Sequence, residues 1–369
     1  MKSKILFICV LAAAVFIWSC NEKSPVAPDF ANQNETLDKR AHVPVGTVTP
    51  ILSLIKGNPP AFFGDSPEGI AIDKRGNMYI SNTIGADRLT NQILRVEPNG
   101  SYSVFATLPG AGHAAGLVTD KRGNVYVAFR AEDINKKGVY RIKRNGIMER
   151  LRGSEEMVGP NALTFDAKGN LYCTDSKVGS VWKYGKDRTF SKWFEDDLLA
   201  PGPHPVAGTL PGANGIVFFP PNKLYVANTF QWSISCITIG RKGAAPRIEL
   251  VKQDFLLMNI DGIAVDVNED IYGVLPVSTI NNLPFGGPPP MPPLVMLNPK
   301  SQVVTPVVVI ADAVNFNTPT SLVFGTGGPW NRKSVFVANA GLFYGQSHEP
   351  WAAPGVVEVY VGKPGMPGK

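Results

Sequence analysis

The feature that most constrains this chain is a unit that recurs six times at nearly constant spacing. Pro67-Glu68-Gly69-Ile70-Ala71-Ile72-Asp73 leads through a Gly-Asn turn to Met78-Tyr79-Ile80-Ser81-Asn82. Ala115-Gly116-Leu117-Val118-Thr119-Asp120 leads to Val125-Tyr126-Val127, and Asn161-Ala162-Leu163-Thr164-Phe165-Asp166 to Leu171-Tyr172-Cys173. Asn214-Gly215-Ile216-Val217, Asp261-Gly262-Ile263-Ala264 and Thr320-Ser321-Leu322-Val323 open three further copies. The lead positions 68, 115, 161, 214, 261 and 320 are separated by 47, 46, 53, 47 and 59 residues. The last step contains a Pro-rich stretch, 284–293, read as a loop inserted in the fifth unit.

Each unit reads as short strands joined by tight turns whose Gly and Asn tolerate positive φ. Four antiparallel strands at a period near 45–50 residues describe a propeller blade, and no segment shows a sustained 3.6-residue period. The expected fold is all-β, a six-bladed β-propeller. The sixth unit has only three strands. Val48-Thr49-Pro50-Ile51-Leu52-Ser53 resembles Val304-Thr305-Pro306-Val307-Val308, the outer strand of unit five. The N-terminal strand is therefore expected to close the last blade, removing an exposed edge.

The residues before the propeller read as an address. Lys2 and Lys4 precede an apolar run from Ile5 to Trp18, too short for a comfortable membrane span, and Ser19-Cys20 follows. Ile17-Trp18-Ser19-Cys20 resembles the lipobox of bacterial lipoproteins. This implies a lipoprotein signal peptide over 1–19, a lipidated Cys20 with a flexible tether over 20–46, and a propeller over 47–369. An ordinary secretory signal with an incidental Cys is the alternative. Either reading sends the chain to the cell envelope, and lipidation would hold it at a membrane. Of four Cys, Cys173 and Cys236 fall in the propeller, where a disulfide and two free buried thiols are both open. The chain carries 36 Lys+Arg against 30 Asp+Glu without a basic block, which disfavours nucleic acid as a partner.

The start of each innermost strand is expected to face the channel mouth. Four of the six lead residues, Glu68, Asn161, Asn214 and Asp261, are oxygen donors. Two carboxylates and two amides meeting on one axis would suit a hard divalent cation. Asp and Asn also cap turns before strands, so each alone has a structural reading. No His pair or Cys pair recurs at zinc spacing, and no nucleophile elbow or phosphate loop is present. His113 and His204, in loops before units two and four, are candidate acid/base or substrate-contacting groups, or ordinary loop residues. Asn82, Arg130, Asp175, Asn228 and Asn339 end the second strands. They form a possible outer polar ring or bond turn backbones.

These motifs resemble the regucalcin/gluconolactonase (senescence marker protein) family, and more distantly the paraoxonases, over nearly all of 47–362. The resemblance implies a metal held by Glu68 of Pro67-Glu68-Gly69, Asn214 of Asn214-Gly215-Ile216 and Asp261 of Asp261-Gly262-Ile263. It further implies Asn161 as a substrate contact and Asp261 as the catalytic group that activates water. The implied ion is calcium foremost, with zinc, magnesium or manganese as alternatives. The implied activity is metal-dependent hydrolysis of a lactone or related ester by a monomer. Where sugar-lactone hydrolases of the family carry Arg two residues before the third-blade Asn, this chain has Gly159. The competing reading is a non-catalytic binding propeller of the NHL-repeat type.

Overall fold

The computed structural model describes residues 43–54, 65–85, 88–97, 101–204, 208–241, 243–276, 291–308, 316–341 and 354–366. The leader, Cys20, most of the tether and most of the Pro-rich stretch lie outside these.

The six repeats fold as six four-stranded antiparallel sheets, the first five running in chain order from the axis outward. Blade one is Asp65–Ile72, Met78–Ile84, Thr90–Val96 and Tyr102–Thr107. Blade two is Gly112–Thr119, Val125–Ala131, Gly138–Ile142 and Met148–Arg150. Blade three is Pro160–Phe165, Leu171–Asp175, Ser180–Tyr184 and Phe190–Glu195. Blade four is Ala213–Phe219, Lys223–Asn228, Ser233–Thr238 and Arg247–Gln253, preceded by a small hairpin of Gly202–His204 with Gly208–Leu210. Blade five is Ile263–Val265, Ile271–Val274, Leu294–Asn298 and Val303–Pro306. Blade six is Pro319–Phe324, Ser334–Asn339 and Gly355–Tyr360, completed by Val48–Ser53. Val48 stands opposite Val359 and Ser53 opposite Gly355, so the N-terminal strand closes the ring as the sequence predicts.

Each sheet is buried on both faces by its neighbours, which is why the second strands are apolar almost continuously rather than alternately. Tyr79 and Ile93 of blade one pack with Leu117 and Val127 of blade two. On the other face, Ile80 and Leu94 pack with Phe336 and Val356 of blade six. Cys173 and Cys236 are buried free thiols in different blades. Burial pushes Cys236 up to about 11 and Cys173 higher still, as expected of inert core thiols.

Below the axis, the first and second strands of blades one, two and three are joined by the same five-residue turn, Asp-x-x-Gly-Asn. The Asp73 Oδ1 accepts from the N–H groups of Arg75 and Asn77, and its Oδ2 accepts from the Asn77 amide at 2.7 Å. Asp120 with Asn124 and Asp166 with Asn170 repeat this. Gly76, Gly123 and Gly169 take φ near +80°, where a Cβ would be strained. In blade five the turn reads Asp266-Val267-Asn268-Glu269-Asp270. Glu269 occupies the left-handed position at φ 76°, and Asp270 has no amide to donate to Asp266. Lys363, from the segment after blade six, reaches Asp270 instead, at 2.5 Å.

At the upper end, the innermost strands break register in a β-bulge, between Pro67 and Ile70, Ala114 and Leu117, Pro160 and Leu163, Ala213 and Ile216, and Pro319 and Ser321. Five lead residues fall inside these breaks, so they leave the ladder and can be re-aimed, while Asp261 lies just before the first strand of blade five. The residue after each lead abuts the next blade. A Cβ on Gly69 would lie 2.7 Å from the Ala115 oxygen, and one on Gly215 would collide with the Asp261 oxygen. Close approach of backbones requires these glycines.

Candidate metal and substrate site

The bulges of blades one, two and four, and the segment just before the first strand of blade five, bring these blades to one place. Glu68 enters from blade one with its side chain 15% exposed. Blade two supplies two side chains that face each other across its first two strands, His113 opposite Arg130. His113 Nε2 lies 3.5 Å from Glu68 Oε2, and an Arg130 guanidinium nitrogen lies 3.8 Å from Glu68 Oε1. His113 is set by its neighbour, since the Ala114 N–H donates to Thr83 Oγ1 at 3.1 Å and Asn91 Oδ1 at 3.2 Å.

Blades three, four and five form a chain of amides ending on Asp261. Buried Asn161 donates through Nδ2 to Asn214 Oδ1 at 2.5 Å, and Asn214 Nδ2 donates to Thr229 Oγ1 at 2.9 Å. Asn214 also hydrogen-bonds the Asp261 carboxyl. Hydroxyls stitch the collar. Thr174 donates to the Asn214 carbonyl at 2.8 Å, Thr229 to that of Ile260 at 2.7 Å, and Ser81 to that of Ala115 at 2.6 Å. Thr320, the sixth lead residue, donates to the Glu68 carbonyl at 2.9 Å and to that of Pro67 at 3.2 Å. Its side chain thus supports Glu68.

The electrostatics are uneven. Burial alone would raise Glu68, but the charge and hydrogen bond of His113, with the charges of Arg130 and Arg88, hold its carboxyl below the usual range. Burial lowers His113, Arg130 lowers it further, and Glu68 compensates only in part, so the imidazole is neutral near pH 7. Burial pushes Asp261 well above a normal carboxylate and the charge of Glu68 adds to this, against Arg130 and the Asn214 hydrogen bond. Glu68 and Asp261 are therefore near enough to repel.

That repulsion tests the donor set for a metal. Two carboxylates and an amide oxygen are hard ligands, and a divalent cation between them would relieve the like-charge penalty on Asp261. The residues fit such an ion. Among the described residues no cluster of three or more His, Cys, Asp or Glu could hold a metal, so a cation here must draw on amide or other oxygens as well. Arg130 already stands at Glu68, with its buried Nε unpaired.

Of the other expected residues, Asp175 accepts from the N–H groups of Val158 and Gly159, both at 2.7 Å, and fixes the loop that presents Asn161. Asn228 donates to the Leu198 and Ala200 carbonyls, and Asn339 accepts from the Asn317 N–H. These three bond backbone, in keeping with the structural reading of the outer ring. Arg130 departs from that pattern, and its contact with Glu68 is not anticipated by the sequence. His204 stands half-buried on the separate hairpin that precedes blade four. At Gly159 a side chain would collide with the Lys177 Cγ, so the loop leaves no room for the Arg of sugar-lactone hydrolases.

Among solved structures, a luciferin-regenerating enzyme matches with a TM-score of 0.58 at 14% identity, covering 87% of this chain and 98% of that one. The fold is that of the gluconolactonases. A gluconolactonase from Xanthomonas campestris matches with a TM-score of 0.54 at 14% identity, covering 87% of this chain and 99% of its own. The same fold carries other chemistry, since virginiamycin B lyase from Staphylococcus aureus matches with a TM-score of 0.51 at 13% identity, covering 80% and 82%. No family model matches the sequence, and no curated protein matches it.

Proposed function

We propose that this chain is a metal-dependent hydrolase of lactones or related esters. One observation carries the reading. Glu68, Asn214 and Asp261, from three blades, converge so closely that Asp261 is bonded by Asn214 and repelled by Glu68. The gluconolactonase-like fold supports a small-molecule substrate.

Glu68, Asn214 and Asp261 would hold the ion, calcium first among the candidates. A bound divalent cation supplies Lewis-acid polarisation of an ester carbonyl. The chain's own groups supply the rest. Asp261 takes the proton of the attacking water through an oxygen left free for it, and its raised pKa belongs to the cation-free state. Asn161, bonded to Asn214, is positioned to orient substrate. His113, neutral and held beside Glu68, offers a proton acceptor or donor at the rim. Arg130, with an unpaired Nε, offers a donor to a developing oxyanion. Glu68 keeps the charge balance.

A second reading, a binding propeller without turnover, is favoured by Arg130 itself, since a resident cation already neutralises part of the carboxylate charge. Calcium-dependent thermal stabilisation that is lost in Asp261→Asn, with lactone turnover lost in the same variant, supports the hydrolase. Stabilisation without turnover across a broad lactone panel supports the binding propeller.

Cys20 is proposed as a lipidated anchor that tethers the propeller at the cell envelope, on the strength of the Lys2–Cys20 pattern. Mass spectrometry of the mature N-terminus tests this.

A further inference from the structure

Two arginines stand at the upper mouth, one from blade one and one from blade two. Arg130 lies 3.8 Å from Glu68 Oε1, too far for a hydrogen bond. Its guanidinium makes no hydrogen bond among the described residues, and its Nε is buried. With Nε given to the reacting oxygen, the terminal nitrogens still lack an acceptor.

Arg88 is fixed beside this group by the backbone. Its carbonyl accepts from Asn91 Nδ2 at 3.1 Å and from the Gly112 N–H at 3.0 Å. Gly112 opens blade two next to the His113–Arg130 pair, so closely that a Cβ on it would lie 2.6 Å from the Arg130 oxygen. Arg88 is exposed and forms no salt bridge among the described residues. Its charge nevertheless reaches Glu68, His113 and Arg130.

The charges that act most on Arg130 are those of Glu68, Asp261, Arg88 and Asp175, so two arginines face three acids. A divalent ion between Glu68 and Asp261 reverses that balance and leaves one positive charge over. A substrate with a single negative charge would answer it. A planar carboxylate also matches the fork of a guanidinium, which pairs with it bidentately.

We infer that the substrate of this site is a lactone or ester bearing a carboxylate, held by Arg130 and Arg88 while its reacting carbonyl lies toward Asp261. This rests on the hydrolase reading and narrows it to an anionic substrate class. Hydrolysis of such a ring adds water across the acyl C–O bond and yields a hydroxy dicarboxylate and one proton.

Calorimetric titration of the intact chain in calcium, with cyclopentanecarboxylate and cyclopentanecarboxamide, tests the anion site without turnover, since neither compound carries a lactone. The acid is expected to bind roughly tenfold or more tightly than the amide, and chelator should narrow that preference. Arg130→Gln should cut the preference about tenfold while calcium binds no more weakly, and Arg88→Gln roughly two- to fivefold. Lys168→Gln removes the same charge from a lower turn and should leave the preference intact. Equal affinity for acid and amide would overturn the proposal. So would a preference that survives in Arg130→Gln, which would seat the carboxylate on calcium alone. Turnover separates this inference from the hydrolase reading. The lactone 5-oxotetrahydrofuran-2-carboxylate should be hydrolysed with a higher kcat/KM than its carboxamide. Turnover of the carboxamide alone refutes the anionic class and keeps the hydrolase. Selective binding of the acid with no turnover across a broad lactone panel keeps the anion site and removes the hydrolase.

Discussion

Asp261 is hydrogen-bonded by Asn214 and driven toward its protonated form by burial and by the charge of Glu68. A carboxyl whose pKa is raised on folding stabilises the fold below its unfolded value and loses that contribution as pH rises through the folded value. The cation-free protein should therefore lose stability, relative to Asp261→Asn, as pH rises from about 4 toward neutrality. A tenfold gain in the proton affinity of the carboxyl on folding corresponds to about 1.4 kcal/mol. Melting curves of both proteins in chelator across this range check it, and added calcium should reverse the order in favour of the parent chain.

Arg130 competes with any ion at this site. In Arg130→Gln, Glu68 keeps His113 but loses its full positive charge. The cation-free protein should lose roughly 1–2 kcal/mol, discounted for the partial exposure of Arg130. Its thermal shift on adding calcium should exceed that of the parent. An equal or smaller shift would mean that Arg130 and the ion do not share the carboxylates.

The collar depends on glycines that admit the neighbouring blade. Gly215→Ala would drive a Cβ into the Asp261 oxygen and push blade five away. Urea denaturation should register a loss of about 1–3 kcal/mol, typical of overpacking. The exposed turn position Lys168→Ala should stay within about 0.5 kcal/mol.

Much of this architecture is legible in the sequence. The period, the count of blades and the closure by Val48–Ser53 follow from a repeat that cannot bury its faces alone. Glu68, Asn214 and Asp261 stand out because each precedes the glycine that the next backbone demands. The role of Arg130 is hidden, since Asn82, Asp175, Asn228 and Asn339 hold the matching position in other blades and nothing periodic marks the exception. Thr320 is hidden for a related reason: a hydroxyl at the mouth and one turned onto the Glu68 carbonyl look alike in sequence. The replacement of Gly and Asn by Glu269 and Asp270 in the fifth turn is also readable, but its partner Lys363 lies 93 residues away.

That partner gives a further expectation. Lys363 answers Asp270, whose other carboxylate oxygen accepts from Asn298 at 2.6 Å. Lys363→Ala should leave this buried acid half satisfied and cost about 1–2 kcal/mol, allowing for the exposure of the lysine. Asp270→Asn should recover most of the loss by restoring the amide that blades one to three use. A double-mutant cycle in urea reads both.

The most direct test of the central claim is a crystal structure grown with calcium. A single ion bound by the side chains of Glu68, Asn214 and Asp261 at the upper mouth is the predicted result. A well-ordered upper mouth holding no ion at saturating calcium, with Arg130 still beside Glu68, would contradict it.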